Sequence, residues 1–206
     1  MTEPAELAVE RSPEFVVIGV ASSAGGIDSL LVLTAALPTA FPAAIVVAQH
    51  LGPSPSSHLA SVLARRCAIP VRAAVDDEAV LPGVVLVCPS GAHISVRHGP
   101  RLWLSREGPL HFVRPSADRL FESLAGTCGS QTVAVVLSGS GSDGAVGVRA
   151  IKSAGGTVIV EDRTTAQFTG MPDAAIRTGA ADMVLPIHEI PGALVALTVE
   201  ACHEPN

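Results

Sequence analysis

The stretch that most restricts the fold is Phe15 to Leu37, FVVIGVASSAGGIDSLLVLTAAL. Phe15 to Val20 form a continuous apolar run rich in β-branched residues, the pattern of a strand buried on both faces. From Ile27 the period changes. Ile27, Leu30, Leu31, Thr34 and Leu37 recur three and four residues apart, which predicts a helix that Pro38 stops. Between strand and helix lies Ala21-Ser22-Ser23-Ala24-Gly25-Gly26, made of small residues. A strand that turns sharply into a helix needs small neighbours so that the backbone can reverse without clashes. Such a turn also holds one side chain out above the sheet edge. Ala21-x-Ser23-x-Gly25 has the spacing of a nucleophile elbow, with alanine for the first glycine. The same spacing centred on Ser22 puts Val20 and Ala24 at the small positions, a worse fit. On its own the stretch also accommodates a phosphate-binding turn or a purely structural one.

Length and composition narrow the class. At 206 residues, 48% hydrophobic and only 3% aromatic, the chain reads as one α/β domain whose helices pack through small residues. A net charge of -6 without any basic run argues against nucleic acid as a partner. Apolar runs end well short of the roughly 18 residues a membrane span needs, so no membrane insertion is expected. The first residues, MTEPAELAVERSPE, are acidic and lack the apolar core of a signal peptide. They read as a disordered or frayed lead-in over 1–14, before a domain at 15–203. Cys67, Cys88, Cys128 and Cys202 are widely spaced and form neither a zinc pattern nor a disulfide framework, which points to a cytoplasmic location.

Along the chain, strands and helices alternate. Ala43 to Ala48 is a second buried strand, ending in Gln49-His50, followed by a loop at 51–57 and a helix over His58 to Arg66. His50 thus stands at a strand's C-terminal end, as Ser23 does, and ligands of open α/β sheets gather at that edge. A metal reading would pair His50 with His58, but nothing nearby completes a ligand set, and no cofactor or metal is called for. Val71–Ala74 and Val84–Cys88 are short strands. His93–Val96 and Arg101–Leu104 read as a β-hairpin around His98-Gly99-Pro100, with His93 and His98 solvated. Ser116 is a good N-cap for the helix that follows, and Arg114 is either an anchor for an anionic or carbonyl group or a loop cation.

Val133 to Leu137 is a further buried strand, followed by Ser138–Gly144 and a helix over Val146–Ala154. Thr157–Val160 is the next strand, ending in Glu161-Asp162. Gly139-x-Gly141-x-x-Gly144 matches a dinucleotide fingerprint, with Glu161 near the place of the ribose-binding acid. Asp143 speaks against it, because a carboxylate just before a helix start would repel a pyrophosphate. A nucleotide-binding or signalling module therefore stands as the alternative to an enzyme. The rest of the chain holds a helix to Thr178, a strand at Met183–Leu185 and a final helix over Glu189–Ala201.

Ser23, His50 and Asp143 all fall at or just beyond C-terminal strand ends, and they are the parts of a hydrolytic triad: nucleophile, base and orienting carboxylate. At this point the chain resembles the catalytic domain of chemotaxis protein-glutamate methylesterases. The resemblance is carried by Ser23-Ala24-Gly25-Gly26, Gln49-His50, Leu81-Pro82-Gly83, Arg114-Pro115-Ser116-Ala117-Asp118, Leu137 to Gly144 and Gly170-Met171-Pro172. It implies a Ser23 nucleophile, a His50 base and an Asp143 orienter, acting on glutamyl methyl esters of chemoreceptors, with glutamine deamidation as a second activity. The implied fold is α/β, a doubly wound, mainly parallel sheet with an antiparallel edge hairpin and helices on both faces. The implied partners are a methylated chemoreceptor cytoplasmic domain as protein substrate, and a receptor methyltransferase or separate response regulator. Two departures stand out. Ser140 takes the place of the family's usual methionine, which is thought to lend a backbone amide to the oxyanion hole. Residues 1–14 are also too short for the receiver domain of typical members, so a stand-alone domain without phosphorylation in cis is expected.

Overall fold

A computed structural model of the chain describes residues 13–50 and 58–201; the expected lead-in up to residue 12 and the loop at 51–57 lie outside them. The first strand, β1 (Val17–Ser22), is buried along its whole length. It runs two residues past the apolar run that marks it in the sequence. Pairing is the reason: Ala21 and Ser22 stay in register with Ala48 and Gln49, so the chain leaves the sheet only at Ser23. Then come α1 (Gly26–Ala35), β2 (Ala44–Gln49), α2 (Leu59–Ala64), β3 (Val71–Ala73), β4 (Val84–Val87), β5 (His93–Arg97) and β6 (Arg101–Ser105). The second half runs α3 (Ala117–Cys128), β7 (Thr132–Val136), α4 (Ala145–Ser153), β8 (Thr157–Glu161), α5 (Gly170–Arg177), β9 (Met183–Leu185) and α6 (Ile190–Ala201).

Seven parallel strands form one sheet in the order β3-β4-β2-β1-β7-β8-β9. The chain first builds outward from β1 on one side, then returns to lay β7, β8 and β9 on the other. The reversal falls between β1 and β7, and open α/β sheets form their ligand crevices at such a switch point.

Alternate strand residues feed two cores. Ile18, Val20, Ile45 and Val47 pack with Leu30, Leu33, Leu63, Ile190 and Leu194, from α1, α2 and α6. Val17, Ala21, Val46 and Val136 pack with Leu120, Phe121, Leu124, Val148 and Ile151, from α3 and α4. Gly19 lies under α3, where an added Cβ would come within 2.6 Å of Leu124 Cδ1 and 3.1 Å of the Phe121 ring. The strand gives up a side chain there so that the helix can sit close.

The antiparallel hairpin is present as a two-stranded sheet of its own, packed on α3. Two α3 hydroxyls complete the hydrogen bonding of β5. Ser123 Oγ accepts from Val96 N at 2.9 Å, and Thr127 Oγ1 donates to Val96 O at 3.0 Å. His98 is exposed as expected, but His93 is not solvated; it is fully buried. Its Nε2–H donates to Gly108 O and its Nδ1 accepts from Ser116 N, each at 3.0 Å. The loop between β6 and α3 closes over it, which a hairpin pattern cannot reveal. Among the described residues no helix is long and apolar enough to cross a membrane.

Candidate active site

Ser23, His50 and Asp143 lie beyond the C-terminal ends of β1, β2 and β7, with β1 in the middle of the three strands. Main-chain pairing continues just past the strands and holds the first two in place. Ser23 N donates to Ser138 O at 3.0 Å, and His50 N donates to Ser22 O at 2.9 Å. The reversal into α1 is made at Gly25, whose left-handed φ of 71° caps the helix. The Gly139 backbone lies against the serine, since a Cβ there would stand 3.0 Å from Ser23 Cβ and 2.3 Å from Met171 Sδ.

The two adjacent serines have different surroundings. Ser22 is fully buried and its Oγ donates to Gln49 Oε1, whereas Ser23 is only half-buried. Gln49, itself buried, donates from Nε2 to Ser23 O at 2.8 Å and to His50 O at 2.9 Å. One amide side chain thus staples the segments that carry the serine and the histidine. Sequence reasoning gave Gln49 no role. The signal was a lone polar residue closing an otherwise apolar strand.

His50 Nε2 lies 2.8 Å from Asp143 Oδ2, with side chains only 11% and 7% exposed. With Nε2–H donated to the carboxylate, Nδ1 is the nitrogen left to accept a proton. Asp143 takes further bonds from Ala117 N at 2.6 Å, Ser116 Oγ at 3.1 Å and Asp118 N at 3.2 Å. Burial pushes the Asp143 carboxyl up, but the hydrogen bonds from His50, Ala117 and Asp118 outweigh it and hold it below the usual carboxylate range. The carboxylate was expected at the positive end of its own helix, α4. It faces the positive end of α3 instead, because the loop after β7 delivers it to the first turn of that neighbouring helix. Between Ser23 Oγ and the His50 ring no hydrogen bond is present among the described residues. Such bonds often tighten only when substrate is bound.

The dinucleotide reading is overturned. Glu161, the expected ribose ligand, is fully buried, and its oxygens accept from Ser138 N at 2.8 Å and Thr165 Oγ1 at 3.1 Å. The first α4 amides, which would face a pyrophosphate, donate to Asp118 Oδ1: Val146 N at 3.0 Å and Gly147 N at 2.8 Å. Arg114, the candidate anion anchor, donates from Nη1 to the main-chain oxygen of Glu107 at 3.0 Å.

Known proteins resemble this chain in sequence and in fold. The model of the CheB methylesterase family matches residues 17–194. A protein-glutamate methylesterase/protein-glutamine glutaminase of Moorella thermoacetica is 38% identical over 195 residues, covering 93% of this chain and 46% of that protein. Its counterpart in Thermotoga maritima is 40% identical over 189 residues, covering 90% of this chain and 54% of that protein. The chain thus spans about half the length of the curated relatives it matches. The crystal structure of the Thermotoga maritima CheB methylesterase catalytic domain superposes with a TM-score of 0.85 at 37% identity, covering 89% of this chain and 98% of that one.

Proposed function

We infer the function from one premise: the chain belongs to the CheB methylesterase family. On that basis it is a serine hydrolase that removes methyl esters from glutamyl side chains of a chemoreceptor cytoplasmic domain, working in the cytoplasm. The observation that carries this reading is the His50–Asp143 bond of 2.8 Å beside a half-buried serine at a strand-to-helix turn.

In the reaction, Ser23 Oγ attacks the ester carbonyl carbon while His50 Nδ1 takes the hydroxyl proton. Asp143 keeps Nε2 protonated and stabilises the imidazolium that forms. Negative charge gathers on the carbonyl oxygen, and the amides of Ala24 and Ser140 are its donors. Neither is engaged in a main-chain bond among the described residues. Because the donor at position 140 is a backbone group, serine in place of methionine leaves it intact. Collapse breaks the bond to the methoxy oxygen, and His50 hands it the proton, releasing methanol. Water then attacks the glutamyl-serine ester with His50 as base, freeing the glutamate carboxylate and Ser23. A glutamine side chain follows the same route with ammonia as the leaving group.

The test is to incubate the protein with a methylated chemoreceptor cytoplasmic fragment and measure methanol. Release that depends on Ser23 is expected. Release at the blank rate, or equal release by Ser23→Ala, would overturn the reading.

A further inference from the structure

Two acidic residues cap each other's helices. Asp143 immediately precedes the α4 N-cap, Gly144, yet its carboxylate accepts from Ala117 N and Asp118 N at the start of α3. Asp118 lies in the first turn of α3, yet its Oδ1 accepts from Val146 N at 3.0 Å and Gly147 N at 2.8 Å in the first turn of α4. Each helix start is thus held by a carboxylate belonging to the other. An acceptor at a helix N-terminus satisfies amides that have no partner within the helix. Here the exchange also fixes how the two helices meet.

The consequence reaches the histidine. The backbone of Asp143 is set by where α4 begins, and its carboxylate by where α3 begins. Gly147 lets the helices approach closely, because an added Cβ would stand 3.1 Å from Asp118 Cα and 2.6 Å from Phe121 Cβ. The Asp118 bonds to Val146 N and Gly147 N add a directional tie to that packing and oppose any slide of the α4 start along α3. We propose that Asp118 is a positioning residue for the reaction: by tying the first turn of α4 to α3 it holds Asp143 where its Oδ2 meets His50 Nε2. Burial and the neighbouring Asp143 charge raise the Asp118 carboxyl above its usual range, partly offset by the α4 amides. The role requires only an oxygen acceptor, so asparagine should serve nearly as well as aspartate.

The inference rests on the proposed roles of Ser23, His50 and Asp143, and its test needs no receptor. The two readouts are the low-field proton resonance of a hydrogen-bonded imidazole N–H, assigned by its loss in His50→Ala, and the rate at which a fluorophosphonate labels Ser23. In Asp118→Ala the resonance should broaden or vanish and labelling should slow by about 10- to 100-fold, the scale of a small misplacement of a reacting group. In Asp118→Asn the resonance should persist and labelling stay within about 3-fold of the native rate, because the amide oxygen can still accept from Val146 and Gly147. An unchanged resonance and rate in Asp118→Ala overturn the inference, as does Asp118→Asn failing as badly as alanine. If Asp118→Ala does not fold, Asp118→Asn decides by the same criterion. A native protein that labels at Ser23 but releases no methanol counts against the esterase reading and leaves this one standing. A native protein with neither label nor resonance overturns both.

Discussion

Ser22 and Gln49 face each other in register across β1 and β2, and the Ser22 hydroxyl donates to the Gln49 amide oxygen inside the protein. That pairing separates two neighbouring serines. Ser22 is held in the sheet as part of the staple, and Ser23 is the first residue beyond it.

The first prediction follows directly. Ser23→Ala should lower kcat by on the order of 10⁴-fold or more, because it removes the proposed attacking atom. Ser22→Ala should cost less than about 10-fold in kcat but about 1–3 kcal/mol in stability, since it leaves the buried Gln49 oxygen without a donor. Rates and denaturant midpoints of both variants check this. A fluorophosphonate adduct on Ser22 would contradict it.

Much of this was legible in the sequence, for definable reasons. The strand, small-residue turn and helix at Phe15–Leu37 could be read because periodicity and side-chain size are local properties. The three strand-end residues could be read because parallel α/β sheets bring those ends together. Gln49, His93 and Asp118 could not. Whether a polar side chain is solvated or buried depends on which distant segment covers it, and their partners lie in other elements or across a loop. In the sequence Asp143 is an acid just before a helix. That it serves α3 and not α4 depends on how the helices pack, and no pattern within either one encodes that.

A second prediction concerns the close approach behind Ser23. In Gly139→Ala the new methyl would meet Met171 Sδ at 2.3 Å and Ser23 Cβ at 3.0 Å. The methionine can move at modest cost, whereas the serine is displaced from its place beside His50. A loss of about 10-fold in kcat is expected from a shift of a few tenths of an ångström, with smaller loss of stability. Pairing it with Met171→Ala should restore little of the rate, because the contact with Ser23 Cβ is direct. Kinetics of the single and double variants measure the difference.

A third prediction is the pH dependence of stability. The folded protein holds the Asp143 carboxyl below its usual range, so Asp143 contributes stability that is fully present above the unfolded value, about 3.9. It is lost as pH falls through the lower folded value. Asp118, held above its usual range by burial and by the Asp143 charge, acts in the opposite sense, and Asp143→Asn relieves the charge part, so the gap between the two proteins reads the net of both effects. The native protein should therefore melt higher than Asp143→Asn at pH 7, and the two melting curves should converge below about pH 3.9. A gap that stays constant through the acid range would contradict this. In the same variant kcat should fall roughly 10³- to 10⁴-fold, because asparagine can present a donor to Nε2 and favour the wrong tautomer.

The last prediction turns on Glu161, which a dinucleotide site would need at its surface. Here one oxygen accepts from Ser138 N and the other from Thr165 Oγ1, with no part of the residue exposed. Ser138 in turn accepts from Ser23 N through its carbonyl. The glutamate therefore supports the glycine-rich loop, and through that loop the backbone of Ser23. Glu161→Ala leaves the buried Ser138 amide without its acceptor, a loss of about 1–3 kcal/mol, whereas the half-buried Thr165 hydroxyl still reaches Asp162 O at 3.3 Å. Glu161→Gln retains an acceptor for Ser138 N and should recover most of that loss. Neither variant should alter nucleotide binding, because the native chain should show none by calorimetric titration with NAD. The thermal unfolding of all three proteins reads the structural part. Measurable NAD affinity in the native chain that weakens in Glu161→Ala would return the loop to the role of a cofactor site.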